Sequence, residues 1–167
     1  MKFSQFKLVL VFVVIGFMFF SCSSSSDDAV DANTDEFITA SVETISFTSA
    51  SRPEAVTAVK IETATTTLII QGVSDVPSTM VLIINDYEGL GSYDLSFAED
   101  SDGTSGLYSS GNSAWSSNGG EGGTGSITIN TDNDTETTGT FEFVGVDEQG
   151  TSRTVTNGRF RAIFEEL

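Results

Sequence analysis

"TLIIQGV" (Thr67–Val73) and "TMVLIIN" (Thr79–Asn85), joined by "SDVPS" (Ser74–Ser78), decide the fold. Each run is too short for a typical helix and is rich in Ile, Val and Thr, the composition of a strand. The Pro77 segment between them reads as a turn. Both runs carry apolar residues at successive positions. That pattern predicts two central strands covered on both faces.

Outward from this pair, the pattern stays β. "ETISFTS" alternates Ile45 and Phe47 against Thr44, Ser46 and Thr48, and "VKIET" alternates Val59 and Ile61 against Lys60 and Glu62. "SITIN" sets Ile127 and Ile129 on one face, and "FRAIF" sets Phe160, Ala162 and Phe164 together. A period of two with Thr, Val, Ile and Phe marks half-buried strands. Turn signals recur: "YEGLGSY" before a strand at Tyr93–Phe97, "EDSDG" after it, "NTDNDTETTG" between Ile129 and Phe141, and "DEQG" at Asp147–Gly150. No amphipathic helix is found. Regular turns between short strands predict an all-β domain over residues 37–167, an antiparallel β-sandwich with a closed β-barrel as the alternative. The stretch "SSGNSAWSSNGGEGGTG" (Ser109–Gly125) reads instead as a flexible Gly/Ser loop, pinned to the core by Trp115.

The N-terminus reads "MKFSQFKLVLVFVVIGFMFFSC". Lys2 and Lys7 precede an apolar run, Leu8 to Phe20, that is shorter than the roughly 20 residues of a membrane span. Ser21 then precedes Cys22, the one cysteine of the chain. A charged start, a short apolar core and a small residue before the cut describe a secretory signal. The arrangement resembles a bacterial lipobox, in which the cysteine becomes the acylated first residue. Phe19 and Phe20 stand where the usual pattern has an aliphatic and a small residue, as in the looser boxes of Bacteroidetes lipoproteins. The reading is a cleaved signal peptide over residues 1–21 and lipidation at Cys22. A lone cysteine has no internal disulfide partner. Each buried methylene contributes about 0.8 kcal/mol, so two or more acyl chains hold a protein in a bilayer without any membrane-spanning helix.

Residues 22–36 then form a tether, "CSSSSDDAVDANTDE", too polar to offset its ordering entropy. Its Asp27–Asp28 run resembles the acidic export tag of surface-exposed Bacteroidetes lipoproteins. These features place the chain at the cell envelope, anchored to the outer membrane and facing the periplasm or the exterior.

The chain has 7 basic and 24 acidic residues and a net charge of −17; losing Lys2 and Lys7 with the leader takes it to −19. Such a field repels nucleic acid. With no histidine, and a cysteine committed to lipid, Ser-His-Asp and Cys-His catalysis are excluded, as are nearly all zinc sites. The reading is therefore a non-enzymatic protein with a protein or glycan partner. A histidine-free glycan hydrolase using two of Asp86, Glu88, Glu99, Asp100, Asp102 and Glu121 is one alternative, and a small-ligand carrier is the other. Asn130, Asp132, Asp134 and Glu136 place oxygen donors at alternate positions, a set that suits calcium; the same residue types make ordinary hairpin turns.

The C-terminal half carries a family pattern. Gly91 and Tyr93, then Gly125 with Ile127, Thr128 and Ile129, then Gly139, Thr140, Phe141 and Phe143, and finally Thr156, Asn157, Gly158 and Phe160 resemble the Bacteroidetes lipoproteins grouped as domain of unknown function 6252. The resemblance spans about Gly89 to Phe164. It implies a lipid-anchored β-domain with no known activity. Its residues are those of fold: Asn157-Gly158 inside a strand predicts a bulge with positive φ, and the phenylalanines predict a shared core.

Overall fold

A computed structural model describes residues 36–52, 54–99 and 102–164. The leader, Cys22, the tether up to residue 35 and Asp100 lie outside the described residues. The described residues form eleven strands: β1 Phe37–Val42, β2 Ile45–Thr48, β3 Val56–Glu62, β4 Thr66–Val73, β5 Ser78–Ile84, β6 Gly91–Asp94, β7 Ser105–Ser110, β8 Ser113–Ser116, β9 Thr124–Asp132, β10 Glu136–Val146 and β11 Ser152–Ile163.

The strands pair in the order β2-β1-β11-β10-β8-β7-β5-β4-β3, with β9 on β10 and β6 on β9. Every pairing between strands is antiparallel. The sheet curls into an open half-barrel. Its long strand β10 makes the corner: it pairs with β9 from Thr137 to Val144, then touches β8 at Val146. Among the described residues, the edge strand β3 meets the chain just beyond β11 at one isolated bridge, Ala58 to Phe164.

The alternating patterns bury one face of each strand. Ile38, Leu68, Ile70, Met80, Leu82, Ile84, Ile127, Val155 and Phe160 are all but inaccessible. A fully buried side chain of this size contributes about 1.5–3 kcal/mol, so the shared core is the main stabilising element. Phe141 stacks on Phe143 and tilts against Phe160, each with ring centroids 6.4 Å apart. Glycine makes room for these rings. A Cβ at Gly139 would lie 2.6 Å from the Phe160 ring, and one at Gly158 would lie 2.4 Å from the Phe141 carbonyl oxygen.

The expected bulge is present. β11 shifts register against both β1 and β10 between Val155 and Arg159, and Asn157 takes the positive φ of 54°. Asn157 rather than Gly158 thus turns the backbone, while Gly158 admits the ring.

Five expectations change. The strand expected at Tyr93–Phe97 is β6, Gly91–Asp94, and Ile45 stands in solvent although its period matches that of buried Phe47. The runs of β4 and β5 are not covered on both faces: Leu68, Ile70, Met80, Leu82 and Ile84 are buried, whereas Ile69, Val81 and Ile83 are partly exposed on the outer face. Cross-strand neighbours shield them instead, as Ile69 faces Ile83 and Val59. In β3 the inward residues are Val56 and Ala58, so the alternating pair Val59 and Ile61 points outward. The Gly/Ser stretch holds a strand, β8, that pairs with β7 and places Trp115 in the core at 8% exposure. Stacking of Trp115 on Tyr108, 5.9 Å between centroids, supplies the anchoring that composition alone conceals.

Candidate functional site

The hairpin β1–β2 turns through Glu43 and Thr44, with Glu43 at φ 53°. β2 faces the Ser74–Ser78 turn and the end of β7. Phe47 (4% exposed) packs edge-on against Tyr108 at 6.4 Å. Beside it a cleft of about 410 Å³ opens, with β2 on one wall and the Ser74–Ser78 turn and the end of β7 on the other. Ile45 and Val76, 66% and 70% exposed, stand at its mouth. Serines ring it: the Ser74 and Ser78 hydroxyls bond at 2.7 Å, and Ser74 also donates to the Val76 carbonyl. An apolar floor with a few polar groups at the rim is the usual make-up of a binding cleft, and this volume falls in the usual range.

The opposite end of β4–β5 is different. Lys60 of β3 reaches Asp132 at the end of β9, Nζ to Oδ1 2.8 Å, across the seam between β3 and the ends of β9 and β11. The ammonium also lies 4.2 Å from the centre of the Phe164 ring and 5.6 Å from that of Tyr87. Tyr87 stacks on Tyr93 at 5.6 Å, and the Tyr93 hydroxyl donates to the Gly89 carbonyl. The Tyr87 and Thr137 hydroxyls are buried without a hydrogen-bond partner among the described residues. Burial first, then the neighbouring Asp132 charge, pushes the Tyr87 phenol far above its ordinary range.

The four oxygen donors singled out for calcium do not converge. Asp132 is taken by Lys60, and Glu136 accepts from Arg161 Nε at 2.7 Å. Asn130 and Asp134 are exposed. Asn133 organises the turn instead, accepting from the Thr135 and Glu136 amides. Among the described residues no group of three or more His, Cys, Asp or Glu side chains is placed to hold a metal ion.

Of the carboxylates considered for glycan hydrolysis, Asp86 and Asp102 line one shallow cleft of about 380 Å³ together with Asp94. Asp94 is held below the usual carboxylate range by hydrogen bonds from the Ser96 hydroxyl and amide. Glu88, Glu99 and Glu121 are exposed. The cleft beneath β2 was missed by sequence reasoning, because its walls come from segments far apart in the chain. No local signal marked it, since Ile45 reads in the sequence as sharing the face of Phe47.

No curated protein and no solved structure matches the chain. The family model described as Domain of unknown function (DUF6252) matches residues 52–163, from just before β3 to the end of β11, so β1 and β2 precede the matched region. The motif phenylalanines Phe141, Phe143 and Phe160 lie in the core, Gly139 and Gly158 make room for their rings, and the chain belongs to this family.

Proposed function

We propose that this protein is an exported, lipid-anchored β-domain of the cell envelope that binds a partner at its surface through the cleft beneath β2. The leader ending in Cys22 and the polar tether support the anchor. The observation that carries the binding role is the contrast between a filled interior and an open apolar cleft. The inward side chains of β4 and β5 occupy the space a carrier would leave for its ligand, whereas Ile45 and Val76 stay exposed. Glu36 is held at the seam by the Ile163 amide, 2.8 Å, so the tether joins the domain away from the Ser74–Ser78 wall. A domain tethered this way keeps its cleft free for a partner. The reading is of a binding module without catalytic chemistry, on the outer membrane, with a protein or glycan partner and no nucleic acid.

Two measurements test it. A Cys22→Ser chain is expected to lose fatty-acid incorporation and leave the membrane fraction; unchanged partitioning would remove the anchor. The neutral apolar dye Nile red is expected to brighten on the water-soluble Cys22→Ser protein, and Ile45→Asp with Val76→Asp is expected to abolish most of that gain. Equal brightening in the doubly substituted protein would show that the cleft takes no apolar group.

A further inference from the structure

The edge of β2 that borders the cleft has an unsatisfied backbone. β1 and β2 pair Val42 with Ile45, Ser41 with Ser46, Ala40 with Phe47 and Thr39 with Thr48. The Ser49 amide continues the ladder to the Ile38 carbonyl at 2.9 Å. In a two-residue hairpin, pairs alternate between bonded and non-bonded. Ile45, Phe47 and Ser49 therefore bond toward β1, and the amides and carbonyls of Ser46 and Thr48 point away from it. None of these outward groups has a hydrogen-bond partner among the described residues. Edge strands are commonly blunted by a lysine, a proline or a cover. β2 has no lysine or proline, and three of its four side chains are exposed.

We infer that β2 is a docking edge for an extended, basic peptide segment, which adds one antiparallel strand along Ser46 and Thr48 and puts an apolar side chain into the adjoining cleft. This rests on the binding role assigned to the cleft above. The backbone supplies the register, and the space between Phe47 and Val76 receives one side chain from every second position of the guest. Charge selects the guest. The chain carries −17, and one of its acids, the exposed Asp75, stands on the cleft wall, 4.0 Å from the exposed Arg52. A basic segment is drawn by this field and an acidic one is repelled. The same field opposes pairing between two copies of the chain through β2.

The test uses the mature chain with Cys22→Ser and a ten-residue peptide of alternating lysine and valine. Saturable binding that weakens with salt is expected, with slowed amide exchange at Ser46 and Thr48. Methylating alternate peptide nitrogens is expected to weaken binding about tenfold, the loss of one or two net hydrogen bonds. A glutamate–valine peptide is expected not to bind. Thr48→Pro removes an outward donor without touching a bond to β1, and is expected to reduce peptide binding while leaving the melting temperature in place. Equal affinity for the methylated peptide, or no protection at Ser46 and Thr48, overturns strand addition while the cleft stands. Protection of those amides that rises with protein concentration, without peptide, assigns the edge to a second copy and overturns the peptide. Loss of Nile red uptake together with all peptide binding removes the underlying role of the cleft. If Thr48→Pro fails to fold, the methylated peptide on the parent chain decides.

Discussion

The two ends of the β4–β5 hairpin are built on opposite plans. At one end Lys60, Asp132, Tyr87 and Phe164 draw β3 and the ends of β9 and β11 together with an ion pair, a cation over aromatic rings and a backbone bridge. At the other end β2 stands clear of the Ser74–Ser78 turn, and Ile45 and Val76 face solvent. A sheet that curls without closing must leave edges somewhere. This one seals an edge near Glu36 and Ile163 and leaves one bare beside the cleft. Groups at the seam are therefore expected to act mainly on stability, and groups at the cleft on the binding proposed above.

The largest effect should come from the element both ends share. The β11 bulge lies between Val155, which pairs with Val42 near the cleft, and Arg161, which pairs with Phe37 near the seam. Gly158→Val would drive a branched side chain into the Phe141 carbonyl and ring. The expected loss is about 3 kcal/mol, read from the denaturant midpoint, with both ends disrupted together. A midpoint equal to that of the parent would mean that β11 can pass the two ends without the close contact.

The next effect separates the ends. Lys60→Ala leaves the Asp132 carboxylate, 15% exposed, without its partner. It is expected to cost about 1–3 kcal/mol. Ile45→Ser at the cleft is expected to change stability by less than about 0.5 kcal/mol, because the residue is already in water. Amide exchange should show Lys60→Ala loosening β3 against Phe164 and sparing β2. Equal costs for the two substitutions would erase the distinction between a seam and a mouth.

The two plans were not equally legible in the sequence. Strands with one apolar face, such as Ile127–Ile129 and Phe160–Ala162, show their period directly and fall where expected. The bulge was legible as well, because Asn-Gly inside a strand has few other uses. β4 and β5 were legible as strands but not as to their covering: apolar residues on both faces suit a buried strand equally well as an outer face whose neighbours shield one another. β8 was hidden by its small polar residues, and only its stacked Trp115 makes it cohere. The seam was illegible because Lys60 and Asp132 are 72 residues apart and each looks locally like a solvated charge. The cleft was illegible for the same reason, its walls lying on either side of β3 and β4 in the chain.

The smallest effect tests the seam most closely. Tyr87 keeps a buried hydroxyl with no hydrogen-bond partner among the described residues, beside Asp132, and its phenol is pushed upward mainly by burial. Removing an unpaired buried hydroxyl is neutral or favourable, so Tyr87→Phe should leave stability at neutral pH unchanged or raise it by up to about 1 kcal/mol. The pH dependence has a definite sign. Below a pH of about 10 the phenol keeps its proton in both states and adds no slope. Above it the unfolded chain releases the proton while the folded chain retains it, so the folded state binds more protons and stability falls as pH rises toward the raised folded value. The phenylalanine variant lacks that loss. Its advantage over the parent should widen between neutral pH and a pH somewhat above 10, measured by denaturant unfolding of both chains, with the titration of other groups cancelling in the difference. A constant difference, or a large loss at neutral pH, would mean that the Tyr87 hydroxyl is satisfied and holds the seam together, and that the end read as sealed by Lys60 and Asp132 is sealed by the phenol as well.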